Sequence, residues 1–134
     1  MATTESQAYE IVNGTAAPTL IFVCDHASNA LPPAYGSLGL GPDAFKRHIA
    51  YDIGAAAVTR AMAVSFEAPA VLAVYSRLLI DLNRGADDPT LVMKLSDGAI
   101  IPGNAKVDFD EIAARIARYA ENAYFNQLAA SRYL

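Results

Sequence analysis

The stretch that most constrains this chain is Leu20-Ile-Phe-Val-Cys-Asp-His26-Ala-Ser-Asn29, where a short apolar run stops abruptly in polar and small residues. A continuous apolar run of this length suits a strand covered on both faces. The chain must then leave the sheet at Asp25-His26. In open α/β sheets ligands gather just beyond the carboxyl ends of strands, so His26 stands where a reactive side chain is delivered to a sheet rim. The other reading is an imidazole that simply hydrogen-bonds within a crowded loop, and position alone leaves the two even.

The rest of the chain supplies too few strands for a large sheet. Residues 1–9 are polar and expected to be flexible. Ile11-Val12 suits a short edge strand before the Asn13-Gly14 turn, and Pro18 leads into a strand over Thr19–Cys24. Residues 27–42 carry Pro32, Pro33, Gly36, Gly39, Gly41 and Pro42, which makes them a loop or a set of turns. A helix is expected at about 43–65, capped by Asp43, with Phe45, Ile49, Ile53, Ala56, Ala57 and Met62 at helical spacing and Gly54 in its interior. Ala70–Tyr75 reads as a second buried strand, interrupted by Ser76-Arg77 and resumed at Leu78–Ile80. Leu91–Leu95 is a strand or one helical turn, and Ser96-Asp-Gly98 and Pro102-Gly-Asn104 are turns flanking Ile100-Ile101. A last helix runs from Asp108 to Leu134, with Asp108 and Glu111 spaced as a capping box. Strands alternating with helices predict an α/β fold: three layers around a mostly parallel or mixed sheet, incomplete in this chain. Residues 1–134 are expected to be a single domain, or the amino-terminal part of one.

Composition removes several function classes. The net charge is −4 with no basic block, which argues against nucleic acid. No apolar run is as long as a membrane span, and the N-terminus lacks a basic region followed by an apolar core, so the expected location is cytoplasmic. Cys24 is the sole cysteine, so neither an intrachain disulfide nor a thiolate zinc knot can form. Its place at the end of an apolar strand makes it a packed thiol rather than a nucleophile.

Four polar clusters carry the chemistry. In Asp25-His26-Ala-Ser28-Asn29 a carboxylate neighbours an imidazole, the commonest biological metal ligand; alternatively Ser28 and Asn29 satisfy their own loop. His48 and Asp52 stand four apart, so on a helix they share one face and either hold a ligand or pair at the surface. Arg77, Asn83 and Arg84 surround Asp81 at the end of an apolar run. Arg forks match carboxylates, so this is an anion clamp, a structural Arg77–Asp81 pair, or both. Residues 96–104 read as two turns around a short strand.

With these clusters in view, the chain resembles the N-formylglutamate amidohydrolase family. The matching segments are Val23–Pro32, Leu38-Gly-Leu40, His48–Ala55, Tyr75–Leu79 with Ile80-Asp-Leu-Asn-Arg84, and Ser96-Asp-Gly98 with Ile101–Asn104, spanning roughly residues 20–104. The resemblance implies a metal-dependent hydrolase, related in fold to zinc carboxypeptidases, that cleaves the N-acyl group of an acidic amino acid, typically formylglutamate to glutamate and formate. It implies a Zn²⁺ or other divalent ion held by His26 and by Asp52, with His48 as rival. It gives Asn83 and Arg84 to a substrate carboxylate, Arg77 to a second one, and Ser28 and Asn29 to the same substrate site. A bound Zn²⁺ lowers the pKa of its water to roughly 7.

The family is about twice as long, and its second half carries a further His and a late Glu expected as the base. Beyond Asn104 this chain has no His, and its Asp108, Asp110, Glu111 and Glu121 read as ordinary helix residues. Three readings follow: an N-acyl amino acid amidohydrolase or its amino-terminal half, a non-catalytic module binding small carboxylates, and a half-domain that completes its sheet as a homo-oligomer.

Overall fold

In the computed structural model, which describes residues 7–15 and 19–125, the elements are arranged around strand β3, Ala70–Ala73, all four of whose residues are buried. It is the central strand of a mixed three-stranded sheet. β1 (Tyr9–Val12) runs antiparallel to it with Tyr9 opposite Ala73. β2 (Phe22–Cys24) runs parallel, with Phe22 opposite Ala70 and Cys24 opposite Leu72. A parallel pair needs a long crossover, and residues 25–69, including helix α1 (Ala55–Ser65), provide it.

The pleat of β3 sorts the core into two faces. Ala70 and Leu72 point to α1 and pack with Ala63 and Cys24. Val71 and Ala73 point the other way and pack with Leu79, Ile80, Leu82 and Leu91, under Ile112 and Ile116 of the C-terminal helical segment. The small Ala side chains of β3 let both layers approach closely. The result is the layered α/β architecture expected from the alternation of elements, with a sheet as thin as expected.

Several boundaries differ from the sequence reading, each for a visible reason. Residues 1–6, expected to be flexible, lie outside the described residues, but Tyr9 belongs to β1. The strand expected from Thr19 begins at Phe22, and it is not covered on both faces: among the described residues it pairs only with β3, and Val23 is 51% exposed. Its apolar character is spent instead on two different clusters, Phe22 on the α1 side and Ile21 on the other.

The helix expected over 43–65 is broken. Pro42–Lys46 form one 3₁₀ turn whose N-cap is Gly41, so Asp43 lies inside the turn and caps nothing. Residues 47–54 are turns, because their backbone groups bond elsewhere: Asp52 N–H donates to His26 O (3.0 Å) and Ala50 O accepts from Ser76 Oγ (2.7 Å). Gly54 is the N-cap of α1, at φ 85°, a left-handed conformation that costs glycine little. His48 and Asp52 therefore do not share a helix face.

Beyond β3 the chain makes few regular elements. Leu91–Met93 are buried but irregular, and only Leu95 enters a strand, β4 (Leu95–Ser96), paired with β5 (Ala99–Ile100). Asp97 (φ 46°) and Gly98 (φ 79°) form the two-residue turn between them, the left-handed pair that tight hairpins favour. Helix α2 (Phe109–Arg115) starts as expected, with Asp108 Oδ1 accepting from Glu111 N–H at 2.9 Å. The Glu111 carboxylate does not close the capping box; it accepts instead from Tyr35 Oη and Arg115 Nε. The helix continues as a π-helical stretch over Ile116–Phe125, and the remainder of the expected helix, 126–134, lies outside the described residues. Among the described residues no helix is long and apolar enough to cross a membrane.

Candidate active site

Three separate segments meet at the carboxyl end of β2. β2 itself delivers His26. The Ala50–Asp52 turn is bound to it through Asp52 N–H, and the Ser76–Asp81 turn follows β3. Ser76, 1% exposed, joins all three: its N–H donates to Ala30 O (2.7 Å), its Oγ donates to Ala50 O, and the same Oγ accepts from Leu78 N–H (3.1 Å). The site is therefore built on backbone hydrogen bonds between segments, which fix side chains more tightly than loop packing does.

At the centre is an imidazole between two carboxylates. His26 Nε2 lies 2.6 Å from Asp81 Oδ1, and His26 Nδ1 lies 3.3 Å from Asp52 Oδ2. Asp81 is fully buried and fully used: it accepts also from Asn83 N–H (2.9 Å) and from Arg77 (3.0 Å). Burial alone would raise its pKa. The hydrogen bonds from His26 and Asn83 and the charges of His26 and Arg77 outweigh burial, and its carboxyl sits below the ordinary value of 3.8. The same hydrogen bond to Asp81 holds His26 above its ordinary 6.5, against the opposing effects of burial and of Arg77. Asp52, by contrast, faces an open cleft of about 520 Å³ together with His26, Asn83 and the apolar Val23, Ile53 and Val58. Its other oxygen lies 3.4 Å from Arg77.

These shifts set the pH dependence of stability. His26 is raised in the folded state, so its contribution is complete below pH 6.5 and is lost as pH rises through the folded value. Asp81 is lowered, so its contribution is complete above 3.8 and is lost as pH falls through its folded value. The stability difference between the native chain and His26→Gln, from urea unfolding, is expected to be largest between these limits and to shrink on the alkaline side. A difference independent of pH between about 5 and about 9 would contradict the pairing.

The other residues singled out from sequence are placed as follows. Arg84 Nε is 3.7 Å from Asp81 and its Nη1 is 3.9 Å from Asp88, so its fork is held loosely. Arg77 is held closely, bridging Asp52 and Asp81, and among the described residues its buried Nε has no hydrogen-bond partner. Ser28 Oγ accepts from Ala30 N–H and Asn29 Nδ2 donates to Phe45 O (2.7 Å), which ties down the loop. His48 is exposed and lies 3.2 Å from Asp97, apart from His26. Cys24 is a buried free thiol, as its position suggests.

The family model for N-formylglutamate amidohydrolase matches residues 18–130. The chain belongs to this family. The match reaches well past Asn104, where the recognisable motifs end. No curated protein matches. Among solved structures, the gene product Atu2144 from Agrobacterium tumefaciens superposes with a TM-score of 0.88 at 34% identity, over 93% of this chain and 49% of that one. This N-formylglutamate amidohydrolase family member therefore spans about half the length of that relative. The sequence gives Asp81 to Arg77 but not to His26, and gives no role to Arg115. Arg115 lies on the apolar arc of Ile112, Ile116 and Tyr119 and is 2% exposed; a charge on a buried stripe is the signal that could have found it.

Proposed function

We propose that this chain carries the metal-facing and carboxylate-binding part of a hydrolase that removes an N-acyl group, N-formyl in the first instance, from an acidic amino acid. The observation that carries the reading is the orientation of His26: Nε2 is engaged by a buried carboxylate while Nδ1 faces the cleft beside Asp52. A metal-ligating His commonly donates its other ring N–H to a carboxylate, which fixes the tautomer and the ring plane. The 3.3 Å between Nδ1 and Asp52 Oδ2 also suits two neighbouring donors on one small cation, given Zn–N and Zn–O bonds of about 2.0–2.2 Å. The residues present thus fit two ligands of a zinc site. Among the described residues there is no group of three or more donors, and catalytic zinc takes about three from protein.

In this reading His26 and Asp52 would hold the metal, which when bound activates water and polarises an amide carbonyl. The work of the chain's own residues is positional. Asp81 aims the imidazole, and Arg77 offsets the charge of the two carboxylates. Asn83, on the cleft, and the loosely held Arg84 take the substrate carboxylate, so that its amide is oriented over the cleft. A cytoplasmic setting belongs to the same proposal.

Zinc titration followed by calorimetry is expected to show one site per chain, weakened at least about tenfold in His26→Ala. Uptake is expected to strengthen as pH rises through the pKa of His26, because metal and proton compete for Nδ1. Arg84→Ala is expected to keep zinc but to bind N-formylglutamate more weakly by about 1.5–3 kcal/mol, the worth of a charged hydrogen bond. The small donor set favours one second reading, a metal-independent carboxylate-binding module. Zinc-free protein that binds glutamate, and loses it in Arg84→Ala, would select that reading instead.

A further inference from the structure

We infer that Arg115 and Asn104, which lie outside the cleft, are positioning residues that hold Asp81 against His26. After β3 the chain turns at Leu78 and Leu79, both fully buried, and the carbonyls there are not taken up by the sheet. Buried carbonyls need donors, and two side chains supply them. Asn104 Nδ2 donates to Leu78 O (2.8 Å) and to Met93 O (2.9 Å), and Arg115 Nη1 donates to Leu79 O (2.9 Å). The two clamps are joined, since Arg115 Nη1 also donates to Asn104 Oδ1 at 2.8 Å.

Asp81 is two residues beyond the second clamped carbonyl, and its N–H is anchored on Leu91 O (2.8 Å). The carboxylate that orients His26 therefore stands at the end of a turn whose path is set by Asn104 and Arg115. A buried guanidinium is costly to place, and here it is supported by Glu111 (3.0 Å) and by the Tyr35 ring (4.8 Å). An apolar side chain could fill the same space but could not hold the carbonyl of Leu79, which gives this residue type a purpose at this position.

The inference rests on the reading of His26 as a site residue, but its test does not need metal or turnover. The readout is the His26 Nε2–H proton resonance in the metal-free protein, with Asp81→Asn showing the spectrum when the ionic hydrogen bond is gone. Arg115→Met is expected to broaden or lose that resonance in a chain whose methyl spectrum remains native. Arg115→Lys, which keeps a donor, is expected to restore it in part. Where zinc binds, affinity is expected to fall about 10–100-fold in Arg115→Met, as for loss of an outer carboxylate. A folded Arg115→Met chain with an unchanged Nε2–H resonance, or a folded Asn104→Leu chain with one where Arg115→Met does not fold, would overturn the positioning role and leave these side chains as packing alone. Loss of the resonance in a protein that takes up no zinc would uphold positioning while removing the metal reading.

Discussion

Replacing Asp81 by Ala is expected to cost about 3–5 kcal/mol of folding stability, the usual loss when one member of a buried charged pair is removed. The size follows from what is left behind. His26, Arg77 and the N–H of Asn83 all donate to this one fully buried carboxylate, and the half-exposed Asp52, the other carboxylate beside His26 and Arg77, is more distant from both. The effect should appear as a lower urea midpoint near neutral pH, with the His26 pKa falling back towards 6.5. Asp81→Asn should lose less stability, because an amide oxygen still accepts, but should weaken zinc binding about 10–100-fold. An Asp81→Ala chain as stable as the native one would mean that the pair contributes no net stability.

The second large effect is expected at Asn104. Asn104→Leu keeps the branched outline of the side chain but strips three partners at once: the carbonyls of Leu78 and Met93 and one contact of Arg115. Each unsatisfied buried group costs about 1–3 kcal/mol, so a total loss of at least about 3 kcal/mol is expected from thermal or urea unfolding. The Arg115→Met and Asn104→Leu losses should not add, because the two side chains share a hydrogen bond. Additive losses in the double variant would show that the two clamps act separately.

The sequence made some of this structure legible and hid the rest for physical reasons. Apolar runs located β3 and the end of β2, and the Asp-Gly pair located the hairpin turn, because these depend on local pattern and local φ. Asp108 announced the start of α2 for the same reason. The helical spacing of Phe45, Ile49 and Ile53 misleads, because Asp52 N–H and Ala50 O bond to His26 and Ser76 rather than along a helix, and such long-range competition leaves no mark in a local window. Polar residues at strand ends point to His26, Arg77 and Asp81, which do converge. Helical spacing points to His48 and Asp52 together, and only Asp52 joins them, since the helix that would pair the two is broken. The sequence pairs Asp81 with Arg77, which the structure shows, while its shorter bond to His26 spans 55 positions and has no local signature.

The strand order has a consequence for how the chain acquires its shape as it is made. β1 and β2 do not pair with each other; both wait for β3, which is synthesised last of the three. Bringing distant strands together costs loop-closure entropy before any contact rewards it, so the sheet should form late and nearly all at once. His26 leaves the ribosome well before Asp81, and Asp81 before the side chains that clamp its turn. A nascent chain stalled between Arg84 and Asn104 would already hold every donor of the cleft and still lack the clamp on the Asp81 turn. The order of these late contacts should be visible as late protection of the Asp81 amide in pulsed hydrogen exchange during refolding.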